Sequence, residues 1–381
     1  MSKNVRWSTP VLGRGHSSPI VWGNQVFLAS ADETASIQWL LSFDRSTGLL
    51  LWKCEVGRGN FGVRHQKNSY ASATPACDGR YVYYPFVADD GLVVTAVDLR
   101  GRLAWQTRAG PYAQDVGHGY ASSPTLFGGL VIVLSDSHRA MGRREGLRAM
   151  IGLKHDAFLA ALDGATGAVV WRVRRGGQEQ TSYGTPVVVE VAGRPQLIVP
   201  GGSAIVAYSP SDGRELWRCR WPMARAANSA AACDNWVFAS GADPERQIIC
   251  IRADGHGDVT DSHVVWTVKN RGADVPSPLV VERRLLLVDD GGVASCYNIE
   301  SGSLFWRRRL GGQFTASPIA IAGDVYAVNE SGRTFVFRVN PKFELIAEND
   351  LNEETLASPI SAGGNLLLRT SDRLWCIANG L

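Results

Sequence analysis

What this sequence lacks narrows its range of functions. It has no run of about 18 apolar residues, so no transmembrane segment is expected. Its first residues contain neither the apolar stretch of an export signal nor a lipoprotein cysteine. This predicts a cytoplasmic protein, or a periplasmic one if an export signal has been removed. With 39 basic and 36 acidic residues the net charge is only +3, so no nucleic-acid partner is expected, because such binders carry a concentrated basic face.

Familiar catalytic motifs are also missing. The sequence contains no nucleophile elbow, no phosphate-binding Walker loop and no zinc-protease motif. Its seven histidines show no tight metal spacing, and its seven cysteines include no CxxC pair. Cys54 and Cys219 each follow a tryptophan by two residues, and such matching positions are typical of small buried residues rather than ligands. We therefore expect no metal site and no catalytic residue, and this cysteine usage favours a reducing compartment.

What the sequence does contain is a repeated phrase of eleven residues. In Ala161–Trp171, Asp163 and Thr166 can bond their own backbone in a turn. Gly167 supplies the positive φ that closes a short hairpin, and Trp171 ends it with a flat ring that needs a neighbour to cover it. The phrase returns, once with one residue fewer, at Ser42–Trp52, Ala96–Trp105, Ala207–Trp217 and Cys296–Trp306. Such recurrence indicates a repeat protein.

A second phrase, Ser or Thr followed by Pro and an apolar run, marks the start of each repeat. It occurs at Ser18-Pro19, Thr74-Pro75, Ser123-Pro124, Thr185-Pro186, Ser277-Pro278, Ser317-Pro318 and Ser358-Pro359. Ala230-Ala231 lies in the middle of the one double-length gap, which gives eight starts. Each start is followed by two apolar strands, a turn and the tryptophan hairpin, or four strands per repeat. The sequence therefore predicts an all-β, eight-bladed β-propeller of four-stranded antiparallel blades, with residues 1–381 as a single domain.

The two ends of the chain are predicted to share one blade. The last repeat ends after Leu374-Trp375-Cys376-Ile377, where the turn before a fourth strand would fall. Twelve residues separate Trp7 from Pro19, as they separate Trp266 from Pro278. We therefore expect Val5–Trp7 to pair with the last strand and to close the ring without an open edge. The repeat tryptophans are expected to pack between blades rather than to line a cofactor site.

These phrases together resemble a known family. The pattern Ala-x-Asp-x-x-Thr-Gly-x-x-x-Trp, as in Ala161–Trp171, resembles the tryptophan-docking repeat of PQQ-like, quinoprotein-type β-propellers. The resemblance covers the whole chain in eight units and looks strongest towards uncharacterised bacterial PQQ-binding-like repeat proteins. The family includes the quinoprotein alcohol and glucose dehydrogenases and the lipoprotein subunit of the outer-membrane β-barrel assembly machine. It implies that the tryptophan docks between neighbouring blades and does not by itself bind quinone.

The resemblance leaves two alternative functions open. One is a PQQ-dependent or sugar-directed oxidoreductase, but the alcohol-oxidising enzymes carry adjacent cysteines and longer loops, and this chain has no Cys-Cys pair. The acid pairs Asp89-Asp90, Asp289-Asp290 and Asp32-Glu33 could supply calcium ligands, but they fall in predicted turns, where capping explains them. The cofactor is therefore unknown, with PQQ implied by the resemblance but not favoured. The other alternative is an envelope-complex subunit like the barrel-assembly lipoprotein, against which the missing lipoprotein cysteine counts.

Loop lengths predict where a ligand would bind. We call top the face that carries the connection from each outer strand to the next blade. From the hairpin tryptophan to the next start, these connections span 23, 19, 15 and 14 residues after blades one to four, against 12 elsewhere. Binding residues usually lie on lengthened loops of a rigid scaffold, so a polar ligand is expected at the top face. The predicted ligand-binding residues are His65, Lys67, Asn68, Tyr70, His118, Tyr120, Tyr183 and Asn228.

A basic insertion, residues 136–156, lies on the same predicted face. It contains Arg139, Arg143, Arg144, Arg148 and Lys154. Leu147, Met150 and Ile151 are spaced for one helical face, so the insertion is either an amphipathic lid or docking element, or a solvated excursion.

The sequence offers no catalytic group, since no nucleophile has a positioned base. The sequence therefore favours a monomeric, non-catalytic binding or assembly scaffold that recognises a small polar molecule or a protein partner on its top face.

Overall fold

The computed structural model describes residues 4–59, 61–62, 64–112, 118–136, 157–175, 182–191, 193–339 and 342–378. In these residues 33 β-strands form eight separate sheets. Each sheet has four antiparallel strands, except that one carries an additional short parallel strand. The predicted all-β, eight-bladed propeller is confirmed. No helix in the described part of the chain is long and apolar enough to cross a membrane.

The first half of the chain builds blades one to four, after a first strand, β1 (Val5–Pro10), that belongs to blade eight. Blades one and two contain β2 (Ile20–Trp22), β3 (Gln25–Asp32), β4 (Ile37–Asp44), β5 (Leu50–Arg58), and β6 (Ala76–Cys77), β7 (Tyr81–Ala88), β8 (Gly91–Asp98), β9 (Leu103–Pro111). Blades three and four contain β10 (Thr125–Phe127), β11 (Leu130–Ser135), β12 (Phe158–Asp163), β13 (Val169–Arg174), and β14 (Val187–Val191), β15 (Arg194–Pro200), β16 (Ala204–Tyr208), β17 (Glu215–Arg220).

The second half builds blades five to eight in the same order. Blades five and six contain β18 (Ala231–Cys233), β19 (Trp236–Gly241), β20 (Gln247–Arg252), β22 (Val264–Lys269), and β23 (Leu279–Val281), β24 (Arg284–Val288), β25 (Val293–Asn298), β26 (Leu304–Arg309). Blades seven and eight contain β27 (Ile319–Ile321), β28 (Asp324–Val328), β29 (Arg333–Arg338), β30 (Glu344–Asp350), and β31 (Ile360–Ala362), β32 (Asn365–Arg369), β33 (Arg373–Ala378). The remaining strand, β21 (Gly257–Asp258), lies between β20 and β22 in sequence and joins blade four.

Burial along each blade explains the strand sequences. The middle strands, such as β3, are buried along nearly their whole length because neighbouring blades cover both faces. The fourth strands, such as β5, alternate between exposed and half-buried residues. First strands of neighbouring blades contact each other, as β2 contacts β6. The first strand therefore lies nearest the axis and the fourth strand forms the outer rim.

The Ser/Thr-Pro phrase forms a closed ring of hydrogen bonds. In each blade the backbone N–H of the Ser or Thr donates to the side-chain hydroxyl of its counterpart in the next blade. The donor and acceptor residues are Ser18 to Thr74, Thr74 to Ser123, Ser123 to Thr185, Thr185 to Ser229, Ser229 to Ser277, Ser277 to Ser317, Ser317 to Ser358 and Ser358 to Ser18. Ser229 takes part although blade five has no proline at its start. Each blade is thereby held to both neighbours.

The repeat tryptophans join neighbouring blades at the outer rim. The indole N–H of Trp52 donates to the carbonyl of Leu99 in blade two at 3.0 Å. Its ring lies against Gly101, which has a φ of +84° and no room for a Cβ, since that atom would lie 2.8 Å from the ring. The same pairing joins Trp7 to Gly48, Trp105 to Gly167, Trp171 to Gly213, and Trp266 to Gly302. The predicted interblade packing is confirmed for these residues.

Two tryptophans pack differently. Trp217 is fully buried and donates to Gln196 of its own blade at 2.7 Å, because β21 runs alongside β17 and covers it. Trp306 packs edge-on against Phe337 and Phe343 of blade seven. Both tryptophans still pack between blades, because Trp217 shares one buried cluster with Val237 and Ile249 of blade five, and β21 follows β20 of that blade in the chain.

The predicted closure of the ring is confirmed. Strand β1 pairs antiparallel with β33, with Val5 opposite Ile377 and Ser8 opposite Trp375. Trp7 then donates from its indole N–H to the carbonyl of Arg45 in blade one at 3.0 Å. The N-terminal strand therefore completes blade eight and also supplies the tryptophan that joins blade eight to blade one.

Candidate functional site

The long connection after blade one crosses part of the top face. Lys67 Nζ lies 2.7 Å from Glu330 Oε1 of blade seven, although blade eight separates blades one and seven in the ring. The hydroxyl of Thr315 donates to the same carboxylate oxygen at 2.7 Å. This carboxylate is only partly exposed, so the ion pair is screened less than one at an open surface. The first predicted loop is thereby tied across blade eight to blade seven.

Three of the predicted residues, from three successive connections, stand side by side. The rings of His65 and His118 lie edge to face with centroids 5.1 Å apart. The rings of His118 and Tyr183 lie edge to face at 5.4 Å. A backbone hydrogen bond of 3.1 Å from the His65 N–H to the His118 carbonyl holds the first two loops together. The loops of blades one, two and three thus present a continuous aromatic row.

Asn68 holds the loops beneath this row together. It is 8% exposed, and its amide donates to the His118 carbonyl at 2.6 Å. The carbonyl of Asn68 accepts from Arg64, whose guanidinium also pairs with Glu33 and lies 4.9 Å from the ring centroid of Tyr70. The structure therefore places Asn68 in contact with His118, as a residue that positions the loops.

Two predicted tyrosines line a narrow crevice under the loops. Tyr70 donates its hydroxyl to the Gly62 carbonyl at 3.0 Å and contacts the ring of Phe61. Tyr120 contacts the ring of Tyr112, and burial raises the pKa of its hydroxyl well above the ordinary value. The crevice is lined by both tyrosines with Gln38, Arg64, Ser69 and Tyr84.

Asn228 lies at the edge of the predicted group. Its amide donates to the carbonyls of Ala273 and Asp274, in the connection after blade five, at 3.0 and 3.1 Å. Its backbone lies against Gly184, next to Tyr183. Asn228 therefore lies beside the loop that carries Tyr183, while its side chain bonds to the connection after blade five.

Sequence reasoning did not select two residues under the first loop, His16 and Arg369. Arg369 is 1% exposed, donates to the Ser17 hydroxyl at 2.9 Å and has no ion pair with a carboxylate among the described residues. Burial lowers its pKa to about 10. Burial, and then the charge of Arg369, lowers the pKa of His16 to about 3, so His16 is neutral near pH 7. Nothing in the sequence distinguishes Arg369 from the exposed arginines.

A buried ion pair lies where the basic insertion begins. Arg175 Nε is 2.9 Å from Asp136 Oδ1, and neither side chain is exposed. Burial raises the pKa of Asp136 to about 6, although the charge of Arg175 opposes this shift. The predicted basic insertion spans residues 136–156, and all of it after Asp136, including Leu147, Met150 and Ile151, lies outside the described residues.

The described residues do not fit a calcium-dependent quinone site. They contain no group of three or more His, Cys, Asp or Glu side chains that could hold a metal ion. Two of the acid pairs contain an aspartate that serves a turn instead, since Asp32 accepts backbone N–H bonds from Thr34 and Ala35. Asp289 likewise accepts from the N–H of Val293. We therefore derive no chemistry through such a cofactor.

Comparisons with known proteins agree with the fold and the repeat. Two curated relatives are outer membrane protein assembly factors BamB: that of Yersinia pestis is 24% identical over 84% of this chain and 75% of its own length. That of Bordetella pertussis is 22% identical over 94% of this chain and 82% of its own length.

Similar solved structures include BamB from Moraxella catarrhalis, with a TM-score of 0.65 and 13% identity over 99% of this chain and 97% of that one. The quinohemoprotein alcohol dehydrogenase of Comamonas testosteroni has a TM-score of 0.62 and 11% identity over 99% of this chain and 77% of that one. At these identities the structures show the shared fold alone. A family model described as "Outer membrane protein assembly factor BamB" matches residues 1–109, 38–254 and 255–342. The chain therefore belongs to this family of PQQ-like β-propeller repeat proteins.

Proposed function

We propose that this propeller is a non-catalytic scaffold in envelope protein assembly that binds a protein partner through its top face. The observation that carries the proposal is the row of His65, His118 and Tyr183, which joins three successive loops. Lys67 extends the same surface to blade seven through Glu330. Aromatic rings are enriched in the buried cores of protein interfaces, and polar groups surround them at the rim.

Two further observations favour binding over turnover. The side chains under the row are already committed to the loops, as Asn68 is to His118 and Tyr70 is to Gly62. The curated relatives are named as assembly factors rather than enzymes. A surface whose polar groups fix its own loops is pre-organised, which lowers the entropic cost of binding a partner.

The proposal can be tested by photocrosslinking in the bacterium that makes the protein. A photoreactive amino acid is placed at His65 or Lys67, and as a matched control at Arg100 in the turn between β8 and β9 on the opposite face. Adducts are identified by mass spectrometry. We expect the top-face positions, and not Arg100, to give adducts with a subunit of the envelope assembly machinery.

Other outcomes would contradict the proposal. Adducts of equal yield from Arg100 would show that the top face is not selective. Crosslinking that yields no protein adduct, together with saturable binding of a small sugar or carboxylate by calorimetry, would favour a small polar ligand. Dye reduction after addition of PQQ and calcium would favour the oxidoreductase alternative.

A further inference from the structure

Blade four shows how the outer rim of this propeller accepts an additional strand. Strand β21 runs parallel to β17, with Gly257 beside Trp217 and Asp258 beside Arg218. The N–H of Val259 donates to the Arg218 carbonyl at 2.8 Å. The N–H of Arg220 donates in turn to the Thr260 hydroxyl at 2.9 Å. An outer edge therefore binds an extended segment through its free backbone groups.

The segment that contains β21 also complements the side chains of β17, with an apolar residue against an apolar one and acids near an arginine. Val259 and Leu216 belong to one buried cluster, with 1% and 7% of their surfaces exposed. The carboxylates of Asp258 and Asp261 lie 3.5 and 3.7 Å from the Arg220 guanidinium. These ion pairs are exposed and contribute little to affinity, so the backbone pairing and the apolar contact carry most of the stabilisation, and the charges select the segment.

The outer strand of blade six, β26, has the same kinds of residue around its tryptophan as β17, but no additional strand covers it. When Trp306 is aligned with Trp217, Phe305 takes the place of Leu216 and Arg309 takes the place of Arg220. Phe305 is 41% exposed, whereas Leu216 is 7% exposed. In blade six β26 pairs with β25 alone, so its other edge is open.

The arginines of β26 are available to a partner. Arg308 donates to the Arg307 carbonyl at 3.0 Å and Arg309 to the Gly291 carbonyl at 3.3 Å. Within the described residues no carboxylate pairs with either of them or with Arg307. Three consecutive cations on an open edge are complementary to an acidic segment.

Blade three has a similar sequence but fits less well. Val170 precedes Trp171 there, and Arg172 and Arg174 follow it. Arg172, however, lies 4.2 Å from the ring centroid of Phe158, and Arg174 has other contacts. Compared with blade three, blade six combines an exposed apolar residue with arginines that have no carboxylate partner among the described residues.

We propose that the outer edge of β26 binds an extended acidic segment of a partner protein as a parallel fifth strand. The segment carries an acid, an apolar residue, any residue and a second acid, in the order of Asp258-Val259-Thr260-Asp261. Its apolar residue covers Phe305 and its acids face the arginines of β26. This edge is a second binding surface, separate from the top face, and does not depend on the function proposed for that face.

A labelled peptide with the sequence of residues 254–263 is the probe, titrated against the full-length protein by fluorescence anisotropy. We expect saturable binding that weakens with salt and falls by about tenfold or more when Arg307→Glu and Arg309→Glu are combined. A peptide with Asn in place of both Asp258 and Asp261 loses the attraction without adding repulsion, and should bind a few-fold more weakly than the unmodified peptide. The control combines Lys53→Glu with Arg100→Glu, which changes the net charge equally but lies on blades one and two, and should bind like the unmodified protein.

Hydrogen exchange locates the bound peptide. Protection of backbone amides in residues 304–309 supports the proposal. Protection confined to residues 215–220 would mean that the peptide only replaces β21, which overturns it. Equal affinity for the Arg307→Glu, Arg309→Glu variant and the unmodified protein, or no saturable binding, would also overturn it.

Discussion

The backbone N–H of Ser358 donates a hydrogen bond of 3.1 Å to the hydroxyl of Ser18, which is 340 residues away in sequence. This bond is the last link of the ring that passes through all eight blades. Each blade donates one such hydrogen bond through a backbone N–H and accepts one through a side-chain hydroxyl, so all the links have the same chemistry. The hydroxyl of Ser or Thr is needed as the acceptor, and the proline that usually follows favours the extended backbone of that residue.

Removing one hydroxyl of the ring should lower the stability of the whole propeller. Thr185 accepts from the Ser123 N–H at 3.1 Å. Thr185→Val keeps the shape but leaves that N–H without an acceptor, which should reduce the free energy of unfolding by about 1–2 kcal/mol. Urea unfolding measures the change, with Thr34→Val in an exposed turn as the control. An unchanged midpoint in Thr185→Val would show that the ring follows from the fold without stabilising it.

The N-terminal strand should be required for the closed ring. Deleting residues 1–8 removes most of β1 and the Trp7 contact with blade one, and leaves the edge of β33 open. We expect a large loss of stability and a tendency to aggregate, because an unpaired edge strand recruits other chains. Thermal unfolding and light scattering measure both effects. Deleting residues 1–3 alone, which keeps β1 whole, should change neither.

The way the intact chain unfolds tests our proposal that residues 1–381 form one domain. The intact chain should unfold in a single cooperative transition, since the first and last strands belong to one blade. If the intact chain unfolds in two separated transitions, the single-domain proposal fails even where the fold is correct.

Two glycine substitutions can separate the stability contributed by tryptophan docking from the cost of backbone strain. Gly101 and Gly364 both have positive φ, +84° and +75°, but a Cβ on Gly101 would lie 2.8 Å from the Trp52 ring and one on Gly364 would meet nothing within 4 Å. Both alanine substitutions carry the strain of about 1 kcal/mol for a left-handed residue. Gly101→Ala should cost about 1–3 kcal/mol more, because it also displaces the ring. Equal losses in chemical denaturation would contradict the docking role.

How much of this could be read from the sequence depends on how local each interaction is. The hairpin that ends at Trp171 was predictable because its turn residues lie within a few positions of one another. The Ser/Thr-Pro phrase was visible, but its ring of hydrogen bonds depends on how neighbouring blades are aligned. Strand β21 was not predicted, since two residues of an ordinary-looking loop pair with a strand about 40 positions earlier.

The candidate site shows the same limit. Loop length selected His65 and His118, which lie on two lengthened connections, and the structure brings their rings together. The buried contacts of Asn68 and Tyr120 depend on loop conformations that the sequence pattern does not specify. Arg369 was missed because its contact with Ser17 joins residues 352 positions apart.

Acid should destabilise the propeller through His16. Burial and the charges of Arg369, Arg14 and Arg64 lower its pKa from 6.5 to about 3. Between these values the unfolded chain binds a proton at His16 that the folded chain does not, so stability rises with pH across this window and is lost as the pH falls below 6.5. At pH 5 the loss attributable to this group is at most about 2 kcal/mol, from about 1.4 kcal/mol per pH unit. Urea unfolding at pH 7 and pH 5 measures it. His16→Asn should shrink the difference between the two pH values, whereas His256→Asn at an exposed position should leave it unchanged; an identical pH dependence in both variants would assign the acid sensitivity to other groups.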